Sequence, residues 1–264
     1  MNQLKFCPLF SGSNGNSIFV SYKNTRLLID CGCSFKRIKE SLHSIGEDIA
    51  DLDAIFLTHS HTDHTSALPM MLKNLDLKVC GTKGTLIEVY PKICDFSDKI
   101  FQIDRHQNVG VLDLRMESFA VPHDACHTVG YNIYAGDKTV SVLTDVGHLA
   151  ENLYTDVKGK ELVFLESNHD LNALENCSYP FHLKQRIRGD EGHLSNENAG
   201  KFATHLVNGG TKKIILGHLS GEANTTELAV ETVKDVLAEN QIVANKDMAL
   251  SVSERGCLGE LVLL

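Results

Sequence analysis

The sequence lacks the features that mark membrane, secreted and disulfide-bonded proteins. No apolar stretch in its 264 residues approaches the length of a membrane helix, and its first residues lack the apolar core of a signal peptide. The eight cysteines form no C-x-x-C pair, and Cys7 and Cys80 lie inside apolar segments, as reduced thiols do in a reducing compartment. We therefore expect a cytoplasmic protein with no membrane partner.

Basic residues are also scarce. The chain has 25 Lys and Arg against 34 Asp and Glu, a net charge of −9. Proteins that bind nucleic acid broadly usually carry a basic surface, so this balance argues against such binding. One local basic segment contains Arg186 and Arg188, which either contact a phosphate or form an ordinary solvated helix face.

The length and the hydrophobic content of 42% are sufficient for a sizeable core. We expect residues 1–264 to form one domain of two similar halves with no linker between them. Apolar periodicity predicts helices near 34–45, 67–75, 196–206 and 229–237, the third capped by Ser195, and a hairpin turn at Gly136-Asp137. Predicted strands cover 4–10, 17–22, 25–30, 52–57, 110–120, 128–135, 138–144, 162–165 and 213–216.

The most informative segment is Leu-Thr-His-Ser-His-Thr-Asp-His at 57–64. It places His59, His61, Asp63 and His64 within six positions, directly after an apolar run with the composition of a buried strand. Imidazole and carboxylate groups at the end of a rigid strand form a ligand set for one or two divalent metal ions. Chance clustering of polar loop residues is a poor explanation, because histidine is scarce.

Further candidate ligands follow other apolar runs. Asp30, His123, Asp145 and His218 each stand where a predicted strand ends. Catalytic groups on layered folds of helices and sheets tend to occupy such positions. Each alone would more often be a loop cap or a core residue, but their recurrence in this order favours one shared site.

In this order, the motifs resemble the metallo-β-lactamase fold superfamily over essentially the whole chain. Three further segments resemble the small nucleases of the YycJ (WalJ) type, which are associated with 5′→3′ exonuclease action on DNA. These segments are Ser11–Ser17, Glu166–Asp170 and Gly192–Asn196.

The resemblance implies an α+β fold, a four-layer αββα sandwich with its ligand loops along one edge. It also implies two divalent metal ions, Zn²⁺ or Mn²⁺, whose positive charge would make the site cationic within an acidic protein. Asp145 would bridge the ions, and Asp30 would be hydrogen-bonded to a ligand histidine or to the hydroxide between them. One ion would be held by His59, His61 and His123, and the other by Asp63, His64 and His218.

Other residues would act on the substrate. In related ribonucleases a histidine near this point of the chain helps the leaving group depart, and His193 resembles it. Both His193 and His169 also have a plain structural alternative, and the sequence does not decide whether His127 or His169 contacts metal. The predicted catalytic residues are Asp30, Asp63, His169 and His193, and the predicted substrate contacts are Asn168, Arg186, Arg188 and Ser195.

Several other activities fit less well. True β-lactamases usually lack a histidine at position 64, and diiron members typically carry a carboxylate where Ser60 stands. Relatives with an inserted cap domain need a long insertion after Asp145, but only 72 residues separate it from His218. We expect a 5′→3′ DNA exonuclease. The alternatives are a thiolester hydrolase of the glyoxalase II type, another small-substrate hydrolase of this fold, or a scaffold that binds nucleic acid without cutting it. DNA is expected over RNA as the substrate, and the oligomeric state stays open.

Overall fold

A computed structural model describes residues 3–264 of the protein. Met1 and Asn2, with which the predicted domain begins, lie outside the described residues. Across that range two seven-stranded sheets stack on each other, with helices on their outer faces. None of the helices within it has the length and apolar character needed to span a membrane.

The first part of the chain opens with a strand meander and then alternates helices with strands. Its strands are β1 (Lys5–Phe10), β2 (Ser17–Tyr22), β3 (Thr25–Ile29), β4 (Ala54–Phe56), β5 (Lys78–Thr82) and β6 (Ile100–Ile103). Its helices are α1 (Phe35–Ser44), α2 (Thr62–Thr65), α3 (Leu68–Asn74) and α4 (Lys83–Ile93).

The second part repeats this plan. Its strands are β7 (Asn108–Val111), β8 (Leu114–Ala120), β9 (Val129–Ala135), β10 (Lys138–Leu143), β11 (Leu162–Glu166), β12 (Lys213–Gly217), β13 (Ala249–Val252) and β14 (Val262–Leu263). Its helices are α5 (Glu151–Asp156), α6 (Leu171–Asn176), α7 (Phe181–Arg188), α8 (Asn196–Asn208) and α9 (Thr226–Glu239).

The two sheets have matching topologies. The first has the order β14-β1-β2-β3-β4-β5-β6 and the second the order β13-β12-β11-β10-β9-β8-β7. In each, antiparallel meander strands are followed by parallel strands joined through helices. The parallel strands put their carboxyl ends, and the polar residues that follow them, at one edge of each sheet.

Alternate residues of the central strands lie in different cores, which demonstrates the four layers. Leu27 and Phe56 pack between the two sheets, whereas Leu28 and Ile55 pack beneath α1 and α3. In the second sheet, Phe164 faces the first sheet, and its neighbours along the strand pack against α8 and α9. Strands buried on both faces read as continuous apolar runs, as these do. The predicted αββα sandwich is confirmed.

Some local predictions were wrong. The strand predicted over 110–120 is interrupted, because Leu112 has a left-handed backbone (φ 49°) and a tight turn separates β7 from β8. Leucine is an uncommon residue for that conformation, so the sequence gives no turn signal there. The strands β5, β6, β13 and β14 and the helices α2, α4, α5, α6 and α7 were not predicted.

Gly32 is the point where the loop after β3 touches the histidine motif. A Cβ atom there would lie 1.6 Å from the carbonyl oxygen of Asp63, so no side chain fits without moving one backbone segment. The segments are held together by hydrogen bonds from Asn16 N to Asp63 O (2.8 Å) and from Cys31 N to His64 O (2.8 Å). The short helix α2 is therefore held by backbone hydrogen bonds to the segments that contain Asn16 and Cys31.

We predict that Gly32→Ala lowers the free energy of unfolding by about 2 kcal/mol or more, because the overlap involves backbone that cannot rotate away. Urea denaturation measures the change. The matched control is Gly110→Ala in β7, where a Cβ would meet nothing within 4 Å. Equal stability of the two variants would contradict this account.

Candidate metal centre

Three polar residues that follow buried strands have left-handed backbone conformations. Asp30 (φ 61°) follows β3, Asp145 (φ 55°) lies two residues after β10, and His218 (φ 55°) follows β12. Asp and His are among the few side chains that tolerate this region. Such backbone outliers concentrate at functional sites, where the surrounding structure holds them in place.

The first histidine cluster consists of His59, His61 and His123, whose ring nitrogens come together at one point. His59 Nε2 and His61 Nδ1 are 3.0 Å apart. The Nδ1–H of His123 donates to the carbonyl of Gly192 (3.0 Å), while its Nε2 is buried without a hydrogen-bond partner among the described residues. Burial lowers the pKa of His59 and of His123, so their lone pairs are free for a metal ion.

The Asp145 carboxylate links this cluster to a second one. Its Oδ2 lies 3.2 Å from His64 Nε2 and 3.2 Å from His218 Nδ1, and its Oδ1 lies 3.7 Å from His123 Nε2. Burial alone would raise the pKa of Asp145, but His218 and His64 hold it well below its usual range. The carboxylate is therefore ionised and placed to contact cations on both sides.

The same pairing acts on the histidines. Burial opposes the protonation of His218, but Asp145 raises its pKa to about 9, and the pKa of His64 is also raised by Asp145 and Asp30. A divalent cation beside Asp145 competes with these protons for the ring nitrogens, so metal binding releases protons. Asp63 lies at the rim of this cluster, its Oδ2 3.5 Å from His64 Nε2.

Asp30 orients the imidazole ring of His64 through a hydrogen bond. Its Oδ1 accepts the backbone N–H of Thr58 (2.8 Å), and its Oδ2 accepts the Thr58 hydroxyl (2.7 Å) and the Nδ1–H of His64 (2.7 Å). The carboxyl is buried and has little freedom to turn. Since Nδ1 of His64 is bound here, its Nε2 is directed at Asp145.

Glu166 is a residue whose role the motifs alone did not reveal. It is fully buried at the end of β11, and its Oε1 contacts His193 Nδ1 at 2.8 Å. Its Oε2 accepts the backbone N–H groups of Val146 (2.6 Å) and Leu194 (3.1 Å). One carboxylate thus ties the Asp145 loop to the His193 loop. Its position at the end of an apolar strand, like that of Asp30, was the available signal.

Two glycines allow the loops beside Glu166 to approach each other closely. A Cβ atom at Gly147 would lie 2.1 Å from the carbonyl oxygen of Asp190, and one at Gly192 would lie 2.1 Å from that of Arg186. The Gly147 N–H also donates to the carbonyl of Pro122 (2.7 Å). Backbone therefore packs directly on backbone around His193.

Arg186 reaches the rim of the centre, where Asp124 binds it. Its guanidinium makes a two-pronged contact with the Asp124 carboxylate, with Nη2 2.9 Å from Oδ1. That Oδ1 is also 3.3 Å from His123 Nε2. No sequence pattern pointed to Asp124, because the contact joins positions 62 residues apart. Arg188 instead pairs with Glu175 (2.8 Å) on an exposed helix face.

The remaining predicted residues surround this core. The Ser195 hydroxyl caps α8, as predicted, by accepting the N–H of Asn198. His169 is buried, belongs to none of the clusters of metal-ligating side chains found in residues 3–264, and has a pKa lowered by burial to about 4. His127 is exposed and also outside these clusters. Asn168 donates its amide to the carbonyl of His218 (2.9 Å).

The Ser11–Ser17 loop contacts the site through two side chains and through the backbone N–H of Asn16, which donates to Asp63 O (2.8 Å). The Ser11 hydroxyl accepts the N–H of His218 (2.6 Å), and Asn16 Nδ2 lies 2.9 Å from His64 Nε2. The N–H groups of Gly12 and Gly15 bond within the loop itself. This loop therefore fixes two of the predicted ligands.

The assembled nitrogen and oxygen donors suit a divalent metal ion.

A family model described as the β-lactamase superfamily domain matches residues 25–219. The chain belongs to this superfamily. It is 36% identical to the exodeoxyribonuclease WalJ of Streptococcus pneumoniae over 248 residues, which cover 92% of this chain and 91% of that protein. It is 34% identical to the exodeoxyribonuclease YycJ of Bacillus anthracis over 242 residues, 89% and 90% of the two chains. The predicted resemblance is confirmed.

Solved structures of lower identity share the fold. The metallo-β-lactamase fold protein YhfI from Bacillus subtilis has a TM-score of 0.77 at 16% identity, with all of both chains covered. Zn²⁺-bound PqqB from Methylobacterium extorquens has a TM-score of 0.71 at 15% identity, covering 97% of this chain and 100% of that one.

We predict that Asp30→Asn weakens divalent metal binding by about 10- to 100-fold, because the new amide presents an N–H group to a donor instead of accepting from it. Competition with a chelating dye measures the affinity, and circular dichroism verifies the fold. The control is Asp76→Asn, whose side chain is 99% exposed. Wild-type affinity in Asp30→Asn would show that His64 needs no orienting partner.

Proposed function

We propose that the protein is a metal-dependent phosphodiesterase that hydrolyses DNA from the 5′ end. The observation that carries this proposal is the Asp145 carboxylate, which contacts rings of both histidine clusters, with the His193–Glu166 pair directly beside it. The similarity to two proteins named as exodeoxyribonucleases supports DNA as the substrate.

The two clusters support two metal ions, Zn²⁺ or Mn²⁺. His59, His61 and His123 would hold one, Asp63, His64 and His218 the other, and Asp145 would contact both. When bound, such a pair supplies an activated water and neutralises charge on the phosphoryl oxygens. Asp30 keeps His64 in the orientation this needs, and Ser11 and Asn168 do the same for His218 through its backbone.

His193 would assist the leaving group. Glu166 accepts from its Nδ1, so Nε2 is the ring nitrogen available to donate a proton to a departing sugar oxygen. Because Glu166 is itself held by two backbone N–H groups, the histidine is oriented by a rigid partner.

Arg186 would bind a phosphate next to the one that is cleaved. Asp124 holds its guanidinium at the rim and leaves its other N–H groups for a phosphate oxygen. Such a local contact agrees with an otherwise acidic chain. The substrate contacts of Arg188 and Ser195, the catalytic role of His169, the cytoplasmic location and the organisation as one domain of two halves all stay predictions.

A substrate panel tests the proposed activity. Metal-loaded protein is incubated with 5′-end-labelled duplex DNA, single-stranded DNA, RNA and a glutathione thiolester. We expect the label to appear first in mononucleotides from DNA and not in longer fragments. Elemental analysis should find about two metal equivalents. Asp145→Ala should lose both the metal and the turnover. Brisk hydrolysis of the thiolester with every nucleic acid left intact would establish the alternative activity.

We predict that His193→Ala lowers kcat by about 10²- to 10⁴-fold, the usual contribution of a general acid. Metal content and fold should be retained. The loss should shrink on an aryl phosphodiester, because a phenolate leaves without a proton. His182→Ala on the exposed face of α7 serves as control. Equal losses on both substrates, or loss of metal, would rule out the leaving-group role.

A further inference from the structure

A cavity opens beside the metal centre on the side of His193. Its volume is about 170 Å³, and its walls include Ser13, Asn168, Tyr179, Ile187, His193 and Ser220. Pockets that bury drug-sized ligands measure roughly 300–1,000 Å³, so this one accepts a group no larger than one nucleoside and no longer stretch of chain.

If the function proposed above holds, the direction of the reaction determines which part of the substrate occupies this cavity. In hydrolysis from the 5′ end, a water oxygen bonds to phosphorus and the bond from phosphorus to the 3′-oxygen of the terminal nucleoside breaks. The 3′-oxygen takes its proton from His193. The terminal nucleoside must therefore lie on the His193 side of the centre, where the cavity is.

The walls of the cavity have the chemistry of a nucleoside site. Tyr179 offers an aromatic face, and Leu183 and Ile187 complete an apolar side. The Tyr179 hydroxyl lies 3.2 Å from the Ser220 hydroxyl, a contact that fixes the ring. Base rings stack on aromatic side chains irrespective of base identity, because every base has a π face.

Asn168 adds a buried amide to the wall of the cavity. It is only 4% exposed, and its amide nitrogen donates to the carbonyl of His218 (2.9 Å). This hydrogen bond holds the side chain in place beside the metal centre.

We propose that this cavity binds the 5′-terminal nucleoside of the DNA strand, by stacking of the base on Tyr179. The site admits one nucleoside and places its 3′-oxygen at His193. The enzyme therefore releases one nucleotide for each cleavage, and its preference for chain ends comes from the small size of the cavity and not from the metal centre.

The test compares two oligonucleotides that differ only at the 5′ end, one with a terminal thymidine and one with an abasic tetrahydrofuran residue. We expect the wild type to cleave the first bond of the thymidine substrate with a kcat/KM about 10- to 100-fold higher, mainly through KM. Tyr179→Ala should lose this preference, and Tyr179→Phe should keep most of it. Tyr90→Ala, at an exposed tyrosine of α4, is the matched control.

The outcomes separate this inference from the proposed function. If neither oligonucleotide is cleaved, the proposed function fails. If both are cleaved at equal rates by the wild type, the nucleoside site is refuted while the nuclease stands. Should Tyr179→Ala fail to fold, competition in the wild type decides: free thymidine must inhibit more strongly than the abasic sugar, and equal inhibition overturns the proposal.

Discussion

The buried charge of Asp145 is the constraint on which the rest of the site depends. A carboxylate at 2% exposure costs several kcal/mol unless hydrogen bonds and opposite charge compensate it. The compensation comes from the hydroxyl of Thr144 and from the rings of His64 and His218. His64 follows a strand of the first sheet and His218 a strand of the second. The buried charge of Asp145 is therefore compensated only when the edges of the two sheets are correctly aligned.

Two other buried carboxylates each orient a histidine ring in the same way. Asp30 and Glu166 both stand at the carboxyl end of a parallel strand, both accept from backbone N–H groups, and both bind Nδ1 of a histidine. In His64 the Nε2 atom is thereby directed at Asp145. The two sheets thus use the same arrangement, in which a carboxylate anchored by backbone N–H groups holds an imidazole in place.

The sequence was informative wherever the signal was local. A dense motif identified His59 to His64, and apolar runs ending in a polar residue identified Asp30, Asp145 and His218. The central strands were predictable because strands buried on both faces are continuously apolar. By contrast, Leu112 adopts a left-handed backbone conformation, which is not predictable from a leucine in the sequence. The partners Asp124–Arg186 and Tyr179–Ser220 come together only through the fold, so spacing along the chain carries no trace of them.

The close approach of backbone at Gly147 and Gly192 has a consequence for anyone who would re-engineer this enzyme. On the function proposed above, these loops would lie beside the leaving group and would be the natural targets of a randomised library aimed at new substrates. A library that varies either glycine would consist mostly of variants in which the loop of Asp145 or that of His193 is displaced from the backbone it packs on, since even a methyl group overlaps a carbonyl oxygen there. Diversity is better placed at Tyr179 and Leu183, whose side chains line the cavity without joining the two loops.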